Sequence, residues 1–284
     1  PIGGSGALTE ALAAAVVRLG GEVRTGATVA AVRCDGERVV GVTLADGTEI
    51  DCSIVVSACD PRRTFVEWLT PPPGVAAGMI ARWRGVTSAA GYESKIDAVV
   101  DRAPRLRDAD VELSATLTLA PTVAEMDRAA AMLATGGVLE RPALLVNVPS
   151  IADPSIAPPG RHVLSIEVLH TPYALPGGWA GSPEPQRWLE LLASRCEPGF
   201  LESIVDWRAM TPDVYERDFH LPAGHAASFG GGPLAALRSR DPELTRYETA
   251  VRGLYLTGAA TFPGAGIWGA SGRNCATVVL GRVA

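Results

Sequence analysis

The stretch GLYLTGAATFPGAGIWGASGRNCA, residues 253–276, joins a short apolar strand, a loop of small residues and the start of a helix. It contains a GxGxxG pattern at Gly264, Gly266 and Gly269. Six residues separate these glycines from the strand, and the 15 residues after Gly269 leave no room for a second strand with a ribose-binding acid. The pattern is therefore not predicted to be a first dinucleotide-binding fingerprint.

The same loop suits a different role, as a backbone surface for a flat ligand. A strand ending near Gly258 and a helix beginning between Gly269 and Gly272 direct free backbone N–H groups toward the loop. Such a helix start favours an anion or a ring carbonyl, and a loop without bulky side chains lets a ring approach closely. The alternative is that the glycines only form tight turns and allow the last helix to pack.

Residues 1–60 predict one helix followed by four strands. Apolar residues at helical spacing predict a helix from Ser5 to Leu19 with one apolar stripe. Segments 28–34, 39–44 and 48–52 are separated by Asp-Gly pairs and predict a three-stranded antiparallel meander. The apolar run 54–58 predicts a buried parallel strand.

The rest of the chain mixes both element types. Residues 61–225 suit an α+β domain, with helices predicted at 75–83, 123–135 and 185–196 and strands at 113–119, 143–148 and 162–170. A strand at 254–257 and a closing helix over 272–283 follow a second glycine-rich region.

Composition argues against several function classes. No run of 18 apolar residues predicts a membrane span. The net charge of −6 and the single lysine, Lys95, argue against a nucleic-acid surface. Five cysteines without CxxC spacing and four scattered histidines predict no metal site. Reduced cysteines indicate a cytoplasmic protein, and peripheral contact with a membrane stays open.

The glycine-rich stretch resembles the carboxy-terminal flavin-binding motif of phytoene desaturases and their carotenoid and retinoid oxidoreductase relatives. In that family a strand ending in Gly-Ala leads through a Thr-His-Pro-Gly-like loop to a glycine-rich helix start. Three more segments resemble the family in the same order, at 1–8, 55–61 and 153–160. Phe262 stands where the family has His, which weakens any proton-handling role there.

The resemblance implies a fold of the class α/β + α+β. Residues 1–60 and 226–284 would be the second and final segments of a discontinuous FAD-binding Rossmann-like domain that includes the meander. Residues 61–225 would be an α+β substrate-binding domain. The strand–GxGxxG–helix that holds the ADP pyrophosphate would come from a missing amino-terminal half, so we expect this chain alone to bind FAD poorly and to be inactive.

The resemblance also implies the residues that contact FAD. Adenosine contacts would involve Val29, Ser57 and Ala58, and pyrophosphate and ribitol contacts would involve Gly258 and Ala259. Ring contacts would fall at Gly266, Gly269 and Ala270. Arg273 and Asn274 are further candidates one turn into the last helix, although a solvated helix-end arginine is an equal interpretation of Arg273.

In the implied chemistry the flavin carries hydride while the protein aligns a C–H bond and excludes water. The substrate would be a lipophilic, polyunsaturated molecule that is desaturated, saturated or isomerised. Nine aromatic residues are candidates either for an apolar tunnel or for ordinary core: Trp68, Trp83, Tyr92, Tyr173, Trp179, Trp188, Trp207, Phe219 and Phe229.

No catalytic base is predicted, because Asp97, Glu112, Asp206 and Glu216 are indistinguishable from surface charges. Two other functions stay open. One is a non-catalytic binding or assembly module, and the other is a nicotinamide dehydrogenase, which the absent ribose-binding acid disfavours. The oligomeric state is not predicted.

Overall fold

The computed structural model describes residues 2–86, 89–107, 113–225, 227–266 and 268–283. The chain divides into two compact units, each built from two segments. The sheet unit comprises residues 1–23 and 88–225, and the glycine-loop unit comprises residues 24–87 and 226–284. Among the helices of the described residues, none is both long and apolar enough to cross a membrane.

The strands, in chain order, are β1 (Val29–Asp35), β2 (Arg38–Leu44), β3 (Glu49–Asp51), β4 (Val55–Ser57), β5 (Gly91–Val100), β6 (Leu117–Leu119), β7 (Leu144–Asn147), β8 (His162–Pro172), β9 (Ile204–Met210) and β10 (Leu254–Leu256). The helices are α1 (Gly4–Arg18), α2 (Ala77–Gly85), α3 (Val123–Leu133), α4 (Glu184–Ala193), α5 (Pro212–Phe219), α6 (Pro233–Arg238), α7 (Pro242–Thr245) and α8 (Ala270–Val283).

The sheet unit is organised around a five-stranded antiparallel sheet in the order β6-β7-β8-β5-β9. Because side chains alternate between the two faces of a strand, β5 and β8 place their aliphatic residues on one face. Ile96, Leu164 and Ile166 are fully buried there, in one core with Trp188 and Leu192 of α4. The inner face of the sheet is therefore the hydrophobic core of this unit.

The outer face of the same sheet is charged. Glu93, Lys95 and Asp97 alternate with the buried residues of β5, and Glu167 of β8 is the register partner of Lys95. The Lys95 ammonium lies 2.8 Å from a carboxylate oxygen of Asp97. These side chains are half-buried, so the outer face is a polar surface rather than a second core.

The glycine-loop unit contains two smaller sheets. The antiparallel meander β1-β2-β3 turns at Gly36 and Gly47, which have φ values of 56° and 87°. β4 and β10 form a two-stranded parallel sheet, with Val55 opposite Leu254 and Ser57 opposite Leu256. Both sheets contribute to one apolar core, whose members include Val32, Val39, Phe65, Leu254 and Leu256.

Most predicted elements are confirmed within a few residues of their expected bounds, including α1, the meander, β4, β10 and α8. β4 is parallel as expected, but its predicted burial is wrong at Val56, which is 45% exposed. Val56 faces away from Ser57 because successive side chains of a strand point to opposite faces. The predicted strand at 113–119 is shorter than expected, since β6 begins at Leu117.

The boundaries of the two units differ from the predicted domain boundaries in two places. Residues 1–23 group with the sheet unit, where the Gly3 N–H donates to Asp153 Oδ2 at 2.6 Å. Residues 61–87 group with the glycine-loop unit, because Phe65 and Ile80 lie in the same core as Leu254. Which unit binds a cofactor and which binds a substrate stays a prediction.

Candidate functional site

A cavity of about 190 Å³ lies where the loop after β10 meets the start of α8. We call it the glycine cavity. Its described lining residues are Gly258, Ala259, Gly264, Ala265, Gly266, Trp268, Gly269, Ala270, Ser271 and Gly272. Nine of these ten are Gly, Ala or Ser, so the wall consists mainly of backbone.

The parallel strand pair positions one side of this cavity. The Thr257 N–H donates to the Ser57 carbonyl at 2.8 Å, which continues the pairing of β10 with β4. Gly258 follows with a φ of 91°, and a β carbon there would come within 3.2 Å of the Ala58 carbonyl oxygen. Ser57, Ala58 and Gly258 thus meet at the carboxyl ends of parallel strands, where open α/β sheets bind ligands.

A neighbouring segment holds the loop in place. The Phe229 N–H donates to the Ala259 carbonyl at 2.9 Å, and the Ala265 N–H donates to Ser228 Oγ at 3.2 Å. Gly264 has a φ of 99°, and a β carbon there would lie 2.8 Å from the Phe229 carbonyl oxygen. Only glycine combines this φ with this approach at low cost.

The first turn of α8 closes the cavity. Ala270, Ser271 and Gly272 line it, and the Arg273 N–H is bonded to the Gly269 carbonyl at 3.0 Å. The first N–H groups of a helix have no carbonyl partner within that helix and carry a partial positive charge. This end of the cavity is therefore suited to a phosphate or a ring carbonyl.

The structure thus brings five of the predicted cofactor residues around one cavity: Gly258, Ala259, Gly266, Gly269 and Ala270. Ser57 and Ala58 lie beside Gly258. Val29 begins β1 opposite Leu44 in the meander and is not among the described lining residues.

Asn274 and Arg273 also lie outside the described lining. The Asn274 amide donates to the Tyr247 hydroxyl at 2.9 Å, and that hydroxyl donates to the Phe262 carbonyl at 2.6 Å. Asn274 therefore ties α8 to the loop through Tyr247. The side chain of Arg273 is exposed, which agrees with the solvated interpretation.

The expectation of a loop without bulky side chains is wrong at Trp268. Its indole lines the glycine cavity and is 63% exposed. Phe262 does not contradict the expectation, because its ring packs edge-on against Phe229 with centroids 5.7 Å apart. Trp268 falls on a variable position of the GxGxxG pattern, and the pattern therefore gave no signal for it.

The unassigned acidic residues of the sheet unit have local partners. Asp97 pairs with Lys95 and with Arg208, whose nearest nitrogen lies 3.3 Å away. Glu216 accepts the Tyr173 hydroxyl and, at 3.0 Å, the Ala223 N–H. Asp206 accepts the Trp207 N–H at 2.8 Å. Glu112 lies outside the described residues.

Several candidate tunnel aromatics belong to the core. Trp179 and Trp188 are 6% and 0% exposed and pack with ring centroids 5.9 Å apart. Trp83 packs near Phe65 and donates its indole N–H to Glu243 at 2.8 Å. The ordinary-core interpretation is confirmed for these three residues.

Burial, together with the charges on the outer face of the sheet, raises the pKa of two groups. Burial, followed by the nearby carboxylate of Glu167, raises the pKa of Glu93. Burial also raises the pKa of Tyr215 to about 12, with further contributions from Glu93, Asp97 and Glu167. The phenol of Tyr215 consequently stays protonated over the physiological range.

The chain is similar to several known proteins. The model of the flavin containing amine oxidoreductase family matches residues 1–90. Mouse pyridine nucleotide-disulfide oxidoreductase domain-containing protein 2 is 33% identical over 300 residues, covering 98% of this chain and 50% of that protein. The lycopene-forming phytoene desaturase of a Paracoccus species is 29% identical over 280 residues, covering 97% of this chain and 53% of that enzyme.

The chloroplastic prolycopene isomerase of Arabidopsis thaliana is 26% identical over 284 residues, covering 94% of this chain and 42% of that protein. The chain spans about half the length of these relatives. Over residues 1–90 it is similar to the flavin containing amine oxidoreductases. The resemblance to the phytoene desaturases and their relatives that the sequence predicts is confirmed.

Proposed function

We propose that the glycine cavity is part of the FAD site of an oxidoreductase. The supporting observation is its wall of small residues between a parallel strand end and the first turn of α8. Such a wall lets a flat ring approach the backbone and offers N–H groups to anionic or carbonyl oxygens. The family whose model matches residues 1–90 contains flavin, which supports the same choice of cofactor.

The size of the cavity supports a divided site. Its volume of about 190 Å³ is below the roughly 300–1,000 Å³ of typical ligand pockets, and FAD is a large ligand. We propose that Gly258 and Ala259 contact the pyrophosphate and ribitol, and that Gly266, Gly269 and Ala270 contact the ring. A partner segment with a strand–GxGxxG–helix would hold the ADP pyrophosphate.

The proposed reaction is a desaturation, saturation or isomerisation of a lipophilic, polyunsaturated substrate. FAD supplies hydride transfer to or from carbon when it is bound. The residues of this chain orient the ring and exclude water from one side of it. The names of two relatives, a phytoene desaturase and a prolycopene isomerase, support this substrate class.

Complementation tests the flavin site. The purified chain is mixed with FAD, alone and together with a strand–GxGxxG–helix segment from a relative, and the visible spectrum is recorded after gel filtration. We expect flavin absorbance to stay with the protein only when both parts are present. A colourless complemented protein would contradict the proposal, and stoichiometric NAD binding by this chain alone would favour a nicotinamide dehydrogenase.

A pair of variants tests whether flavin retention depends on the glycine cavity. Ala270→Leu places a larger side chain in the cavity without changing the backbone, so flavin retention should fall. Ala276→Leu adds the same side chain on an exposed part of α8 and should retain flavin. Anaerobic mixing of the oxidised, flavin-loaded protein with a polyene should bleach the flavin if the reaction is a desaturation, and mixing of the reduced protein should restore its colour if the reaction is a saturation. Binding of the polyene with no change in flavin colour in either state and no isomerised product would favour a non-catalytic module.

A further inference from the structure

Trp268 is the single large side chain among the described residues that line the glycine cavity. Isolated exposed apolar residues are common on proteins and need no explanation by themselves. Trp268 differs from such residues in its place, because every other described lining residue is Gly, Ala or Ser. It is thus the one described side chain of this wall with an aromatic face.

The position of the indole depends on Gly266. A β carbon built on Gly266 would lie 2.4 Å from Cζ2 and 2.5 Å from Cη2 of Trp268. The six-membered part of the indole therefore lies directly against the Gly266 backbone, and any other residue at 266 would displace it. With 63% of the residue exposed, much of the ring surface stays free for a ligand.

Aromatic rings attract other flat rings when they are offset-stacked or edge-on, and they gain affinity beyond the area that they bury. We propose that Trp268 is a positioning residue that packs against the flat tricyclic ring of the bound flavin and fixes its orientation in the glycine cavity. This inference rests on the proposed flavin site, and it adds the one side-chain contact that a backbone wall lacks.

The test observes the indole directly. The chain is labelled with ¹⁵N-tryptophan and ¹⁵N-glycine and titrated with riboflavin 5′-phosphate at millimolar concentrations, where weak binding still shifts resonances. Trp268→Phe identifies the Trp268 indole signal by its loss, and Trp207→Phe identifies that of Trp207, a partly exposed tryptophan of β9. We expect the Trp268 signal to shift to saturation and the Trp207 signal to stay in place.

Affinity provides the second measurement. Trp268→Leu should weaken riboflavin 5′-phosphate binding about five- to tenfold, the loss expected for one aromatic pair, while Trp268→Phe should bind nearly as the wild type does. The indole signal of buried Trp188 reports whether each variant is folded. A purely structural role for Trp268 would not produce the ligand-dependent shift.

Two contrary outcomes are distinguishable. If the amides of Gly264 and Gly272 shift with ligand while the Trp268 indole stays in place and Trp268→Leu binds normally, the Trp268 inference is overturned and the flavin site stands. If neither the indole nor these amides respond, both the inference and the flavin site in this cavity are overturned.

Discussion

The inner face of the five-stranded sheet and the wall of the glycine cavity use side chains in opposite ways. On the sheet, Ile96, Leu164 and Ile166 are fully buried and pack against α4. Around the cavity, nearly every described residue has a side chain of one carbon or none, apart from Ser271 and Trp268. A wall of this kind gains little from apolar burial, so contacts around it, such as those of Phe229 and Tyr247, must hold its shape.

The largest expected effect comes from emptying the side-chain core. Trp188→Ala should lower the free energy of unfolding by about 3–5 kcal/mol, because the buried ring leaves a cavity behind. Urea denaturation measures this loss. Trp207→Ala removes the same side chain from a position that is 36% exposed and should cost much less. Equal losses for the two variants would contradict the burial argument.

The backbone wall is expected to be sensitive to a single methyl group. Gly264→Ala should cost about 2–4 kcal/mol, from a left-handed φ combined with a close approach to the Phe229 carbonyl. Gly269→Ala has a positive φ of 63° but open space around the new methyl group, so it should cost about 1–2 kcal/mol. Thermal unfolding of both variants measures the two losses of stability. A larger loss for Gly269→Ala would contradict the argument that the close approach to the Phe229 carbonyl makes a methyl group costly at Gly264.

Removal of a buried carboxylate, that of Glu243, should have an intermediate effect on stability. Glu243 is 1% exposed and accepts hydrogen bonds from Arg82 at 2.7 Å and from Trp83 at 2.8 Å. Glu243→Ala should destabilise the fold by about 1–3 kcal/mol because the Trp83 N–H loses its partner. Asp241 also pairs with Arg82 but is 36% exposed, so Asp241→Ala should change the unfolding free energy by less than about 1 kcal/mol.

The smallest effect concerns the outer face of the sheet. Because its folded-state pKa is raised, ionised Glu93 costs stability. That cost is absent below the usual glutamate pKa and grows as the pH rises through the raised value. Glu93→Gln should therefore gain stability over the wild type at neutral pH and not near pH 3. Urea midpoints of the variant and of the wild type at the two pH values measure the gain, and an equal gain at both values would contradict the argument.

The sequence predicts the local elements of both regions well. Asp-Gly turns and alternating apolar residues are enough for the meander, and helical spacing is enough for α1. The interior strand β5 was not predicted, since Ser94 and Ala98 make the apolar side of its alternation weak. The regular charges at Glu93, Lys95 and Asp97 were the signal that could have found it.

The candidate site is only partly predictable from the sequence, because some of its residues act through partners that are distant in sequence. Glycine positions and their order in the chain indicate the loop that lines the cavity, so Gly258, Gly266 and Gly269 could be named in advance. The role of Asn274 could not, because its partner Tyr247 lies 27 residues away in sequence. Periodicity and motif spacing contain no information about such tertiary contacts.

Lys95 has a practical consequence for experiments on this molecule. It is the only lysine of the chain, and it lies in the middle of β5 with its ammonium against Asp97. Reductive ¹³C-methylation would therefore mark one side-chain amine, at a known point of a known strand, besides the α-amino group, and give a single side-chain NMR probe. A molecule that binds beside Lys95 on the outer face of the sheet would shift the signal of its methylated amine.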